Sequence, residues 1–242
     1  MPPVIVDNNK IRHEVFPGAD LSGIDCSSTI ISLDLSGTIL DHANFSNSLL
    51  YGVNLSNSSC VRTSFSDAKI EDSSFNDAIC EESSFARAVV RHTSFANARL
   101  DRANLKAATF AHAFLSGAIF PNADLRLANL MSADLTGVIF DFADLSDSLM
   151  ADAIITDATF VETILAGCLW PDQLIPPHGW RHKIPARPTN KSNPKDTTLE
   201  LDRDYIVEMG FDPALVATLL TEHPAITPKK LIAVCGSIAN RD

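Results

Sequence analysis

The stretch "ANLMSADLTGVIFDFADLS", residues 128–146, places a small residue two positions before a large apolar one three times: Ala128 and Leu130, Ala133 and Leu135, Ala143 and Leu145. The beat is five residues. An α-helix repeats its faces every 3.6 residues and a strand every two, so neither alone explains this spacing. A chain that turns a corner every five residues does.

The beat extends far beyond the quoted stretch. Every fifth residue from Leu35 to Leu165 is apolar, 27 positions without an insertion. The residues two places earlier, from Leu33 to Thr163, are Ala, Ser, Thr or Val, with Leu33 the one exception. If five residues form one side of a square coil, the large residue and the small one two before it both point inward, and the small one leaves room for the corner. The three remaining positions face water. They are rich in Asp, Asn, Ser and Gly, the residues that favour tight turns.

These residues resemble the pentapeptide-repeat family, whose pattern is A(D/N)LXX. The resemblance covers about two thirds of the chain. It implies an all-β fold, a right-handed quadrilateral parallel β-helix with four pentapeptides per coil. Upstream, "ADLSG" at 19–23 and Cys26 also fit, with a one-residue slip of frame at Ile30 or Ile31. The expected organisation is an N-terminal cap over 1–15, the β-helix over 16–165, a capping segment and Pro-rich linker over 166–196, and three short helices over 197–242. About seven and a half coils at one strand spacing each give a rod roughly 35 Å long.

Composition agrees with a soluble chain able to bury a sizeable core: 242 residues, 45% hydrophobic, formal charge −11. The N-terminus "MPPVIVDNNKIRHEVF" has no basic stretch followed by an apolar one, so the expected address is cytoplasmic. The five cysteines, Cys26, Cys60, Cys80, Cys168 and Cys235, form no CxxC pair and are expected to be reduced.

A solenoid of this kind has a packed interior and no natural substrate cleft, which points to a binding surface and not to an enzyme. No cofactor is expected. Residues twenty apart stack on one face. Cys60 and Cys80 therefore stack inside, as two small apolar thiols. Asp72, His92, His112, Ser132 and Asp152 form an outer column, where two neighbouring histidines could in principle hold a metal; solvated surface histidines are the expected reading, with no metal site assigned. No GxSxG, HExxH or Gly-rich phosphate loop is present.

Charge is banded along the chain. Residues 16–85 hold 10 acids and 2 bases, 86–112 hold 1 acid and 5 bases, and 113–165 hold 8 acids and 1 base. The last band comprises Asp124, Asp134, Asp141, Asp144, Asp147, Asp152, Asp157 and Glu162, with Arg126 the only base. Carboxylates fixed on a rod can compete for a cationic groove built to track phosphates. Some members of the family act in this way as DNA mimics, binding a type II topoisomerase such as DNA gyrase and protecting it from toxins or drugs. The resemblance implies the same activity here, with those eight acids as the partner-binding surface and no direct contact with nucleic acid. Two departures from such relatives stand out: the belt of Arg87, Arg91, Arg99, Arg102 and Lys106, and the absence of long loops projecting from the coils. Surface acidity is also the ordinary means by which a repeat protein stays soluble.

Past Leu165 the repeat breaks at Ala166, and "CLWPDQL" places Trp170 where an aromatic can cover the last coil. Residues 171–196 hold six prolines. Then Thr197 and Glu200 form a capping box, Asp212–Pro213 and Thr227–Pro228 start helices, and Gly210 and Gly236 end them. "IVEMGF" at 206–211 is similar to the Met-Gly-Phe loop of ubiquitin-associated domains, which would make Met209, Gly210 and Phe211 an apolar docking patch. In that alternative the protein is a secreted bacterial effector or adaptor, with the rod as scaffold. The same helices could instead pack on the rod or join two copies tail to tail as a homodimer.

Overall fold

The computed structural model describes residues 3–171. Two antiparallel strands open the chain, β1 (Val4–Val6) and β2 (Arg12–Glu14), with Val4 opposite Glu14 and Val6 opposite Arg12. Ile5 and Val15 are buried, and the Asn8 N–H donates to the carbonyl of Asp25 at 2.7 Å. The hairpin therefore covers the open edge of the first coil, which would otherwise present a row of unpaired backbone groups.

Beyond the hairpin the backbone rises as a parallel quadrilateral β-helix. One side carries the strands β3 (Ile30–Ile31), β4 (Leu49–Tyr51), β5 (Lys69–Glu71) and β6 (Val89–Arg91), stacked in parallel and in that order. The other three sides, and this side beyond β6, are joined by single parallel bridges, from Asp20↔Ile39 to Leu149↔Leu169. Partners lie twenty apart through most of the rod, as in Asp124↔Asp144, but nineteen apart in the first coil, as in Asp20↔Ile39 and Ile30↔Leu49. The first coil is thus one residue short. Ile31 points inward and is buried while Ile30 is 77% exposed, so the slip falls between Ile31 and Leu35. The ladder continues through Ile164 and Leu169.

Each side contributes the same bonds. The Phe45 N–H donates to the Ser64 carbonyl at 2.7 Å and the Ser64 N–H to the Ala43 carbonyl at 2.9 Å. At the corner, the Ala43 N–H donates to the Leu40 carbonyl at 3.0 Å, and the residue between, His42, has φ 62°. That is a turn whose third residue is left-handed, as in type II. The same position is left-handed at every corner from Gly37 to Gly167. Glycine, Asn and Asp suit it; Arg62, Arg87, Arg102, Leu127 and Phe142 occupy it at a conformational cost of about 1 kcal/mol each.

The interior is filled by four columns of large side chains, and the small residues beside them are buried too. Phe45, Phe65 and Phe85 stack at 5.4 and 4.8 Å between centroids, and Phe75 on Phe95 at 4.4 Å. Adjacent columns meet edge to face, Phe65 with Phe75 at 5.4 Å and Phe85 with Phe95 at 5.6 Å. The two coils with two phenyl rings each are those whose neighbouring column holds Cys60 and Cys80. Thiols are small enough to keep the cross-section constant, which close packing requires. Further on, Leu100 takes that column, followed by Phe120, Phe140 and Phe160, stacked at 5.2 and 5.3 Å. Trp170 meets Phe160 edge to face at 5.0 Å and closes the described end of the core.

Candidate functional site

With the interior solid, chemistry is confined to the outer surface, and the twenty-residue register assigns each side chain to a face. The faces are named by their inward columns: the first by Phe120, Phe140 and Phe160, the second by Leu125, Leu145 and Leu165, the third by Leu130, Met150 and Trp170, and the fourth by Leu115, Leu135 and Ile155.

The eight acids of the C-terminal band do not gather on one side. Asp141 and Glu162 belong to the first face, Asp124, Asp144 and Asp147 to the second, Asp152 to the third, and Asp134 and Asp157 to the fourth. They also fall into two structural kinds. Asp124, Asp134 and Asp144 precede the inward residue, and each accepts the backbone N–H two residues on: Arg126 at 3.1 Å, Thr136 at 3.0 Å and Ser146 at 2.9 Å. Asp141 accepts from the next coil, the Thr159 hydroxyl at 2.8 Å and the Val161 N–H at 2.9 Å. These four carboxylates hold turns and rungs together. Asp147, Asp152, Asp157 and Glu162 stand at the left-handed corners, with Asp152, Asp157 and Glu162 exposed.

One acid is neutralised outright. Arg126 grips Asp124 with Nε at 2.8 Å and a terminal nitrogen at 2.6 Å, and its Nε lies 3.9 Å from Asp144. The Arg126 hydrogen bond, opposed in part by burial, holds the Asp124 carboxyl below the usual range.

The basic belt is largely consumed inside the rod. Arg87 makes two bonds of 2.7 Å to Asp67, Arg62 and Arg102 close on Glu82 from either side at 2.8 and 3.2 Å, and Arg99 reaches Glu81 at 2.8 Å. All but the last are pairs along columns, residue n with residue n + 20; Arg99 and Glu81 are eighteen apart, on neighbouring coils. The spacing 62–82–102 and 67–87 is visible in the sequence once a coil is known to hold twenty residues.

His92 and His112 do stack, at corner positions between Asp72 and Ser132, with φ 48° and 59°. Among the described residues no group of three or more His, Cys, Asp or Glu side chains stands ready to hold a metal ion. Cys26, Cys60, Cys80 and Cys168 are buried and unbridged. A hydrogen bond to Cys60 and burial raise the Cys80 thiol well above its ordinary value, and burial pushes Cys168 up to about 11. They are packing residues, inert as nucleophiles. Met209, Gly210 and Phe211, with the three helices expected over 197–242, lie outside the described residues. Among the described residues no helix is long and apolar enough to cross a membrane.

One feature of the surface is absent from the sequence reading: apolar side chains on the outside of the last coils. Phe142 is 51% exposed and Val161 55%, and both lie on the first face beside Ile119 and Ile139. Phe142 is the one Phe, Tyr or Trp among the corner positions from Gly37 to Gly167, and that was the available signal.

Comparison with known proteins gives a consistent picture. A family model described as "Pentapeptide repeats" matches in eight copies, over residues 33–59, 83–122, 98–137 and 128–167. No curated protein sequence matches the chain. Among solved structures, the chain is similar to HetL, a pentapeptide repeat protein involved in heterocyst differentiation regulation from the cyanobacterium Nostoc, at 20% identity, covering 64% of this chain and 91% of that one with a TM-score of 0.25. It is similar to QnrB1, a plasmid-mediated fluoroquinolone resistance protein, at 18% identity, 69% and 82% coverage and a TM-score of 0.36. A pentapeptide repeat protein from the Arabidopsis thaliana thylakoid lumen matches at 23% identity, 39% and 59% coverage and a TM-score of 0.19.

Proposed function

The chain belongs to the pentapeptide-repeat family, whose fold is the right-handed quadrilateral β-helix, and on that footing we propose that it is a non-enzymatic binding protein that mimics DNA. Its acidic C-terminal coils engage the DNA-binding face of a type II topoisomerase such as DNA gyrase and protect that enzyme from a toxin or antibiotic. The observation that carries the reading is the placement of eight carboxylates against one base over residues 113–165, on all four sides of a rigid rod. A groove that embraces a duplex meets negative charge on more than one side, and a rod that is acidic all round offers the same. Fixed charge also needs no ordering on binding, so release of the groove's counterions is not offset by the entropy of arresting a flexible acidic tail.

The corner acids give a clean test, because Asn occupies the same left-handed position at Asn47, Asn57, Asn97 and Asn122. Replacing Asp147, Asp152 and Asp157 with Asn and Glu162 with Gln leaves the turns intact and removes four charges. Binding to purified gyrase should weaken and its dependence on salt should flatten. Undiminished binding by the quadruple variant, or no binding by the unaltered protein in low salt, would falsify the proposal.

A further inference from the structure

We propose that the first face of the C-terminal coils is a self-association surface, on which a second copy of this chain packs antiparallel about a two-fold axis. This is independent of the gyrase reading. The first observation is a cost without a local return. Phe142 holds a left-handed corner, φ 62°, and exposes half its surface. An L-residue is strained there and a phenyl ring in water is unfavourable, whereas Asn or Asp would satisfy the corner at neither cost. Ile139 in the same coil and Ile119 one coil below, both partly buried, and exposed Val161 one coil above place apolar side chains on this face in three successive coils, beside the polar Asn122, Asp141 and Thr159.

The second observation is charge. Arg99 and Arg102, paired with Glu81 and Glu82 of the coil below yet both more than half exposed, bound this zone on its N-terminal side, and Glu162 bounds it on the C-terminal side. A two-fold interface brings one patch onto itself, so a patch suits it when residues on either side of its centre complement each other. With rods antiparallel and the axis midway between the coils of Phe120 and Phe140, each column faces its own counterpart reversed. Arg102 then lies opposite Glu162 of the second copy, and Glu162 opposite that copy's Arg102. Ile119 faces Ile139, and Phe142 covers Asn122. Asp141 falls opposite Pro121, so the two Asp141 carboxylates do not meet. Moving the axis half a coil, onto Phe140, sets Asp141 against Asp141 and Glu162 against Asn122; the register is decided by that difference.

Three coils of one face are a small area beside the roughly 800 Å² per partner of a standard interface, so the dimer is weak and concentration-dependent. Sedimentation velocity of the full chain over a wide concentration range reads it directly. The unaltered protein should pass from monomer to dimer. Phe142→Asn, which relieves the corner and cannot be blamed on misfolding, should weaken association by at least about tenfold. Arg102→Glu and Glu162→Arg should each weaken it, and together restore it. A protein that stays monomeric throughout, a dimer indifferent to Phe142→Asn, or a charge-swapped double variant no better than either single one overturns the proposal.

Discussion

The coils between residues 56 and 95 and those between 116 and 170 share one backbone and one register, yet they are filled and clothed differently. In the first, stacked phenyl rings are balanced by Cys60 and Cys80, and the surface charges are spent on one another along columns such as Arg62–Glu82–Arg102. In the second, the phenyl rings of the inward columns are confined to Phe120, Phe140 and Phe160, leucines fill the neighbouring column, and the described ion pairs are those of Arg126 with Asp124 and Asp144. The contrast teaches that the repeat specifies a scaffold and leaves both volume and charge to be apportioned coil by coil. Where charge is used up internally a coil contributes stability to the rod; where it is not, the coil presents charge and apolar surface to a partner.

The largest expected effect tests the filling. Phe85 contacts Phe65, Phe75, Phe95 and Phe110. Phe85→Ala should cost about 3–5 kcal/mol in urea unfolding, and Leu125→Ala, in the same column two coils on, should cost less, within about 2–5 kcal/mol. Equal costs would remove the distinction between the two regions. Next is the volume balance: Cys80→Leu adds bulk beside the phenyl stacks and should cost about 1–3 kcal/mol by overpacking. A neutral result would show that the thiols are not there for space.

A smaller effect of opposite sign belongs to the corners. Phe142→Asn should raise the stability of the monomer by up to about 1 kcal/mol, and Asn122→Phe, in the same column one coil earlier, should lower it by a similar amount. Thermal unfolding of both at a concentration too low for association checks this; two changes of the same sign would break the link between corner and strain.

Smallest is the response to acid. Arginine hydrogen bonds lower the folded-state pKa of Asp67, Glu82 and Asp124. A depressed carboxylate pKa means stability that is present above the unfolded value, 3.8 for aspartate, and lost as pH falls below it towards the folded value. The thermal midpoint of the unaltered rod should therefore fall on acidification. Arg87→Gln, which releases Asp67 at an exposed site, should flatten that fall only slightly, and high salt should hide the difference. A large loss at neutral pH would mean that the column pairs do more than exposed ion pairs do.

Much of the fold was legible because five-residue spacing has one structural solution: Leu130, Leu135, Phe140 and Leu145 must be successive sides of one coil. The frame slip at Ile30 or Ile31 was legible to within a residue, and burial of Ile31 resolved it. The left-handed corner was not, since its residues range from Gly37 to Phe142 and no composition marks them as one class. Among the candidate acids, Asp134 and Asp157 are separated by 23 residues and share a face, whereas Asp144 and Asp152 are nearer in sequence and do not.

The sequence by itself determined the coil, its twenty-residue pitch and its inward set, because hydrophobic burial acts on residue type and periodicity, and both are written along the chain. Only the tertiary structure decided which carboxylates are committed to turns, which are matched by an arginine one coil away, and that Phe142 lies strained beside other apolar side chains. Hydrogen bonds and ion pairs depend on distances of about 3 Å between residues twenty apart, and those distances exist only once the coils are stacked.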